Sequence, residues 1–219
     1  METKQLRKIV EQLANPSGEL GTDIAAKMND TNAFITARAV EALAPNAGEF
    51  IAEIGPGNGA LSCDLVKAIG SEGRYLGIEI SNDMAQVAEK TLRKACTAQI
   101  DVHSGDCHDV LVGDASLDGL IAVNVLYFID DLDGLLAQIR PWFKPNSRCV
   151  LGIRPARTLE SLRFHELGHH IRSPEEIEDS MQAHGFNEIS ITHYDEGEGS
   201  LGDITFPNGS VIIRASACA

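Results

Sequence analysis

The residues best placed to do chemistry sit in one short run, Glu53-Ile54-Gly55-Pro56-Gly57-Asn58-Gly59. Glycines at alternate positions let the backbone bend tightly and bring main-chain N–H groups close to a ligand. Apolar residues before the run read as a strand and those after it as a helix. The bend therefore lies where a helix start offers free donors and a positive dipole end, which suits a carboxylate or phosphate. The spacing is E-x-G-x-G-x-G rather than the G-x-G-x-x-G of dinucleotide sites, and no Gly-Lys-Ser/Thr follows, which excludes a Walker loop. Glu79 stands at the end of the next strand, where a carboxylate can accept hydrogen bonds from both hydroxyls of a ribose. Asp106, in Gly105-Asp106-Cys107, follows a third strand and is placed to take an adenine amino group. Asn124 and Tyr127 close a fourth. All four strand ends converge on the carboxyl edge of an open sheet, where ligands of such folds bind.

A second pattern competes. His165-Glu166-Leu167-Gly168-His169 matches HExxH, which on a helix places two histidines on one face with a glutamate to activate a zinc-bound water. The match is short, Ser173-Pro174 truncates the helix it needs, and no well-placed third ligand stands out. The segment from Arg154 to Arg172 reads better as an insertion between a strand and a helix. Phe164, Leu167 and Ile171 form its apolar stripe. His165 and His169 are then candidate general bases, because a neutral imidazole titrates near working pH. Surface histidines are the plainer alternative.

Elements must hold these residues. Leu6, Ile9, Val10 and Leu13 have helical spacing up to Asn15-Pro16. A second helical stretch is expected near Ile24–Met28 and a third from about Thr31 to Leu43, with Asn32 near its start. From Glu49 strands and helices alternate. Phe50–Ile54, Tyr75–Ile80, Ile100–Val102, Leu120–Val125 and Cys149–Ile153 read as strands. Helices follow on Leu61–Ile69, Met84–Ala95 and Leu132–Ile139. Ser173-Pro174-Glu175-Glu176 is a capped helix start, and Gly185 is its left-handed stop. Two more strands are expected near Glu188–Thr192 and Val211–Arg214, with Pro207-Asn208-Gly209 as a hairpin-type turn. The pattern predicts an α/β fold: a mostly parallel sheet, helices on both faces and one antiparallel edge pair.

Bulk properties narrow the function. With 219 residues, 43% of them hydrophobic, the chain can bury a sizeable core as one domain. A net charge of −14 argues against nucleic acid or an anionic membrane as partner. Cys63, Cys96, Cys107, Cys149 and Cys218 are scattered without a CxxC pair, which suits a reducing cytoplasm. No secretory signal is visible, and the greasy run Leu120–Ile129 is too short to span a bilayer.

Taken in order, IAEIGPGNGALS, GIEISNDMAQVAEK, SGDCHDV, LDGLIAVNVLYFIDDLDGLLAQIRPWFKPNSRCVLGIR and SPEEIEDSMQAHGF resemble the class I, Rossmann-like S-adenosylmethionine-dependent methyltransferases of small-molecule type, over roughly residues 30–190. The resemblance implies a doubly wound sheet of seven strands with the last antiparallel, residues 1–45 as an N-terminal helical lid and 46–219 as the Rossmann-like domain. It implies that Glu53, Gly55, Gly57 and Gly59 flank the methionine part of the cofactor. Glu79 would bind the ribose, and Ile80 and Met84 would lie beside the adenine, with Asp106 and Cys107 at its edge. Asn124 would lie near the methionine end and Tyr127 near a small-molecule acceptor. Lys144-Pro145-Asn146 departs from the family's Lys-Pro-Gly. A non-catalytic binder of the same cofactor or its demethylated product, and a zinc hydrolase, remain the alternatives.

Overall fold

The computed structural model describes residues 11–162, 169–201 and 204–217. Its elements are α1 (Gly18–Leu43), β1 (Phe50–Ile54), α2 (Cys63–Ile69), β2 (Arg74–Glu79), α3 (Asn82–Ala95), β3 (Gln99–Ser104), β4 (Leu117–Val123), α4 (Leu132–Ile139), β5 (Phe143–Ile153), α5 (Ala156–Ser161), α6 (Pro174–Ala183), β6 (Phe186–Leu201) and β7 (Ile204–Ala217). The strands form one sheet in the order β3-β2-β1-β4-β5-β7-β6. β1 through β5 pair in parallel, and β7 runs antiparallel to both of its neighbours. Because the order reverses between β1 and β4, a crevice opens outside their carboxyl ends.

Both sheet faces are covered, which explains the continuous apolar runs of the central strands. On one face Ile35, Leu43, Leu65, Ile69 and Leu92 of α1–α3 pack on Ile51, Tyr75, Ile121 and Val150. On the other, Leu135, Leu136, Ile139, Ile177 and Met181 of α4 and α6 pack on Ala52, Leu120, Leu151 and Ile213.

The structure corrects the sequence expectation in three places. The two helical stretches expected on either side of Asn29-Asp30 are one helix, α1. Thr31, expected at a helix start, is inside it: its hydroxyl donates to the Lys27 carbonyl at 3.3 Å, a back-bond that leaves the helix unbroken. Pro207-Asn208-Gly209 is not a turn. It lies within β7, where Pro207 stands opposite Glu198, and β6 and β7 are far longer than expected. The β5–β7 ladder ends at Ile153–Val211, so Pro207 faces no paired strand on that side and its missing N–H is tolerated. Glu188, expected at the start of a regular strand, has a φ of 50° at an irregularity of β6. Asn146 takes a φ of 63°, so it fills the left-handed position for which the family uses glycine.

The expected start of α6 is present in full. The Glu176 N–H donates to the Ser173 hydroxyl at 3.1 Å, and the Ser173 N–H donates to the Glu176 carboxylate at 2.7 Å. Ser173→Ala is expected to cost about 1 kcal/mol and lower Tm by roughly 2–4 °C, read by thermal melting. An unchanged Tm would mean that packing of Ile177 and Met181 alone sets the helix.

Candidate active site

The three glycines of the bend all have positive φ (73°, 57° and 76°), yet they do different work. A Cβ on Gly55 would lie 2.8 Å from a Val125 methyl, and one on Gly59 would lie 2.9 Å from the backbone of Ala88. Those two glycines let the bend pack against β4's exit and α3. A Cβ on Gly57 would meet nothing within 4 Å. Gly57 is thus the one of the three that borders open space, where main chain can approach a ligand.

Glu79 fixes this bend. One of its carboxylate oxygens accepts the Gly57 N–H at 2.9 Å and the other accepts the Ser81 N–H at 2.9 Å. The residue is only 5% exposed, and burial raises its pKa above the ordinary carboxylate value while the two amides oppose the rise. Each oxygen keeps a second lone pair for a further donor. Next to it Ile80 is 51% exposed, an apolar side chain left open at the crevice edge, whereas Met84 is fully buried. Glu53 is buried, accepts the Tyr75 hydroxyl at 2.7 Å, and has its pKa raised by burial against the opposing Ser62 and Tyr75 hydroxyls.

Asp106 caps the short turn Cys107–Asp109, accepting the His108 N–H at 2.9 Å and facing its Nδ1 at 2.8 Å. These contacts hold its carboxyl below the usual range. The Cys107 thiol, buried beside that acid, is pushed up to about 12. Asp106, Cys107 and His108 are close enough to share an ion. The protonated thiol and the occupied carboxylate make them a poor cation site.

The carboxyl end of β4 carries the site's polar relay. Asn124 has a left-handed φ of 57°. Its amide donates to the Asn32 side chain at 2.9 Å, and its oxygen accepts the Tyr127 hydroxyl at 2.9 Å. That hydroxyl also accepts the Arg154 N–H. Tyr127 is therefore spent on holding Asn124, and burial raises its pKa further. His165 and Glu166 lie outside the described residues. His169 packs edge-on to Phe128 with ring centroids 4.9 Å apart, and burial lowers its pKa. His170 pairs with Asp130 at 3.0 Å.

Sequence reasoning missed what binds the N-terminal helix to this edge. The Ser81 hydroxyl donates to the Pro16 carbonyl, and the Gly18 N–H donates to Asp83 at 3.0 Å. At the other end Asn32 meets Asn124, and Arg154 donates to the Thr31 carbonyl at 2.7 Å. α1 therefore crosses the carboxyl edge from β2 to β5, with Gly21 and Ala25 buried and Ile24 and Met28 half-buried along one stripe. Arg172 was also missed. It donates to the Leu126 and Ile129 carbonyls, each at 2.7 Å, and to that of Asp130 at 3.0 Å, pinning the loop after β4. Both arginines bound the insertion seen in the sequence, which was the available clue.

The raised pKa of Glu53 has a definite sign. The unfolded chain ionises it near the ordinary 4.5, whereas the folded chain holds the proton longer. Protonation therefore stabilises the folded state, and that contribution is lost as pH rises through the folded-state value. Glu53→Gln keeps an acceptor for Tyr75 without the charge. Its stability relative to wild type should improve as pH rises from about 4.5 to 7 in denaturant titrations; a constant difference would refute the buried-charge account.

Comparison with known proteins gives a consistent picture. Residues 52–151 match the methyltransferase domain family. An O-methyltransferase of Penicillium expansum, cnsE, is 34% identical over 110 residues, covering 50% of this chain and 39% of that protein. The 2-phytyl-1,4-naphtoquinone methyltransferase of Synechococcus elongatus is 28% identical over 52% of this chain and 49% of its own. The chain thus spans half or less of the length of these relatives. Among solved structures, a phosphoethanolamine N-methyltransferase of Haemonchus contortus in complex with S-adenosylhomocysteine superposes with a TM-score of 0.68 at 16% identity, covering 84% of this chain and 52% of that one. That likeness shows the fold.

Proposed function

Since the chain belongs to the class I, Rossmann-like methyltransferases, whose cofactor is S-adenosylmethionine, we propose that it transfers a methyl group to an oxygen, nitrogen, sulfur or carbon nucleophile of a small molecule. The observation that carries the reading is the open side of Gly57, whose N–H is held by Glu79. Bend and acid fit the cofactor: main chain without a side chain faces one part of the crevice, and a buried carboxylate with spare lone pairs faces the next. Gly55, Gly57 and Gly59 would shape the methionine end, with Glu53 bracing them from below. Glu79 would hold the ribose. Ile80, Met84, Asp106 and Cys107 would border the adenine.

The bound cofactor supplies an activated methyl for in-line displacement. Because the sulfonium charge disappears in the transition state, alignment and exclusion of water contribute more than any one side chain. Residues 1–45 act in this reading as a lid over residues 46–219, with Ile24 and Met28 of α1 excluding water. Asn124, set by Tyr127, orients groups near the reacting carbon. His169, kept neutral by burial, is the favoured base where the acceptor must lose a proton, with His165 in reserve. An acceptor that is a small molecule rather than nucleic acid accords with the net charge of −14 and with the relatives' printed substrates. No helix among the described residues is long and apolar enough to cross a membrane, and the four described cysteines are free, in keeping with a reducing cytoplasm.

The test is calorimetric titration with S-adenosylmethionine and S-adenosylhomocysteine, followed by methyl-release assays over phenols, quinols, amines and thiols. Tight binding and product are expected. Tight binding without product across the panel would favour a non-catalytic cofactor-binding protein, and near-stoichiometric zinc in protein purified without added metal would favour a hydrolase. Glu79→Ala should weaken cofactor binding by about 1–3 kcal/mol, the cost of losing charge-assisted hydrogen bonds. Wild-type affinity should also fall as pH drops through the raised Glu79 value, since the ionised form is the acceptor. Unchanged affinity in a folded Glu79→Ala protein would refute the ribose role.

A further inference from the structure

β6 and β7 run on past the end of β5. From residue 204 to 210, β7 pairs with β6 alone, so the two strands leave the sheet as a ribbon beyond the carboxyl edge. An isolated two-stranded ribbon is marginal in water. Something must hold this one, and the structure shows what does. The Arg154 side chain, 7% exposed, leaves the end of β5 and enters the junction between ribbon, sheet and α1. Its Nη1 donates to Glu196 at 2.6 Å and the Gly209 carbonyl at 2.9 Å, and lies 3.2 Å from the Asn208 side-chain oxygen and 3.3 Å from the Ser210 hydroxyl. Its Nη2 donates to the Thr31 carbonyl of α1 at 2.7 Å. Its main-chain N–H meets the Tyr127 hydroxyl, which sets Asn124.

Three separate pieces thus meet on one residue: the helix crossing the crevice, the ribbon and the relay at the end of β4. Thr31 marks a division along α1. On its C-terminal side Ile35, Ala39 and Leu43 are buried on the sheet, and on its N-terminal side the helix spans the crevice. A planar guanidinium with diverging donors can reach both sides of this junction at once, which an ammonium on a flexible stem cannot. Edge-on packing of Phe34 against Tyr194, with centroids 5.6 Å apart, and the Thr158 hydroxyl on the Pro207 carbonyl at 2.7 Å extend the same seam.

We propose that Arg154 is a positioning residue that joins the helical lid and the β6–β7 ribbon into one closed wall around the acceptor end of the site. The proposal rests on the reading that the crevice holds the methyl donor. With the clamp in place, α1 is closed over the cofactor and Asn124 is oriented. Without it, the N-terminal half of α1 opens on its own.

Arg154→Lys and Glu196→Gln test this in the full chain. Amide hydrogen exchange of the cofactor-free protein should quicken about tenfold in Arg154→Lys over residues 18–34, the loss expected for a buried charge-assisted bond, and change little in β1 and β4. Dissociation of S-adenosylhomocysteine, followed by stopped flow, should speed up by a similar factor. Glu196→Gln, which keeps the shape of the pair but not its charge, should lie between. A merely structural role would instead raise exchange evenly across the sheet and leave dissociation unchanged, and that result overturns the proposal. Wild-type protein that fails to bind S-adenosylhomocysteine would sink the cofactor reading and the acceptor wall with it. Wild-type binding with wild-type exchange and dissociation in a folded Arg154→Lys protein would sink the Arg154 assignment alone.

Discussion

One buried carboxylate ties the crevice together. Glu79 closes two backbone segments on itself, the glycine bend after β1 and the start of α3, by accepting one amide from each. Buried acids cost free energy unless they are hydrogen-bonded, so the pairing explains how an ionisable group survives at the end of an apolar strand. It also couples neighbours. Ser81, whose amide Glu79 holds, caps α3 through the Met84 N–H and reaches the Pro16 carbonyl with its hydroxyl. The arrival point of the N-terminal helix and the shape of the glycine bend therefore depend on the same acid.

The far side of the crevice is built on a different principle. There the chain uses neutral amides and cations already matched to acceptors: Asn32 to Asn124, Arg154 to Glu196 and carbonyls, Arg172 to three carbonyls of the loop after β4. Charge near the bend is left with lone pairs to spare, whereas charge near the ribbon is internally satisfied. The contrast divides the crevice into a half suited to grip polar groups and a half suited to hold its own shape.

Much of this was legible from residue order. The alternation after Glu49 reveals the parallel strands because strands buried on both faces must be apolar throughout, and the Ser173 capping box fixes a helix start by local chemistry alone. The E-x-G-x-G-x-G bend could be located exactly, although which glycine borders open space depends on Val125 and Ala88, residues far off in sequence. The misreadings share a cause. Asn29-Asp30 and Pro207-Asn208-Gly209 are strong local breakers overruled by tertiary position: the first lies on a helix anchored at both ends, the second on a strand whose other edge is unpaired. Arg154 was invisible as a hub because its partners at residues 31, 196 and 208–210 come together only in the folded chain.

The Cys107 thiol acquires a meaning in this setting. A thiolate, not a thiol, is the form that an alkylating donor attacks, and on the proposed reading Cys107 borders the donor's adenine. With its pKa pushed up to about 12 by burial, the Cys107 thiol keeps its proton at neutral pH. Burial beside Asp106 makes the sulfur a packing atom instead of a nucleophile, so that on the proposed reading this wall of the crevice is inert toward an alkylating donor.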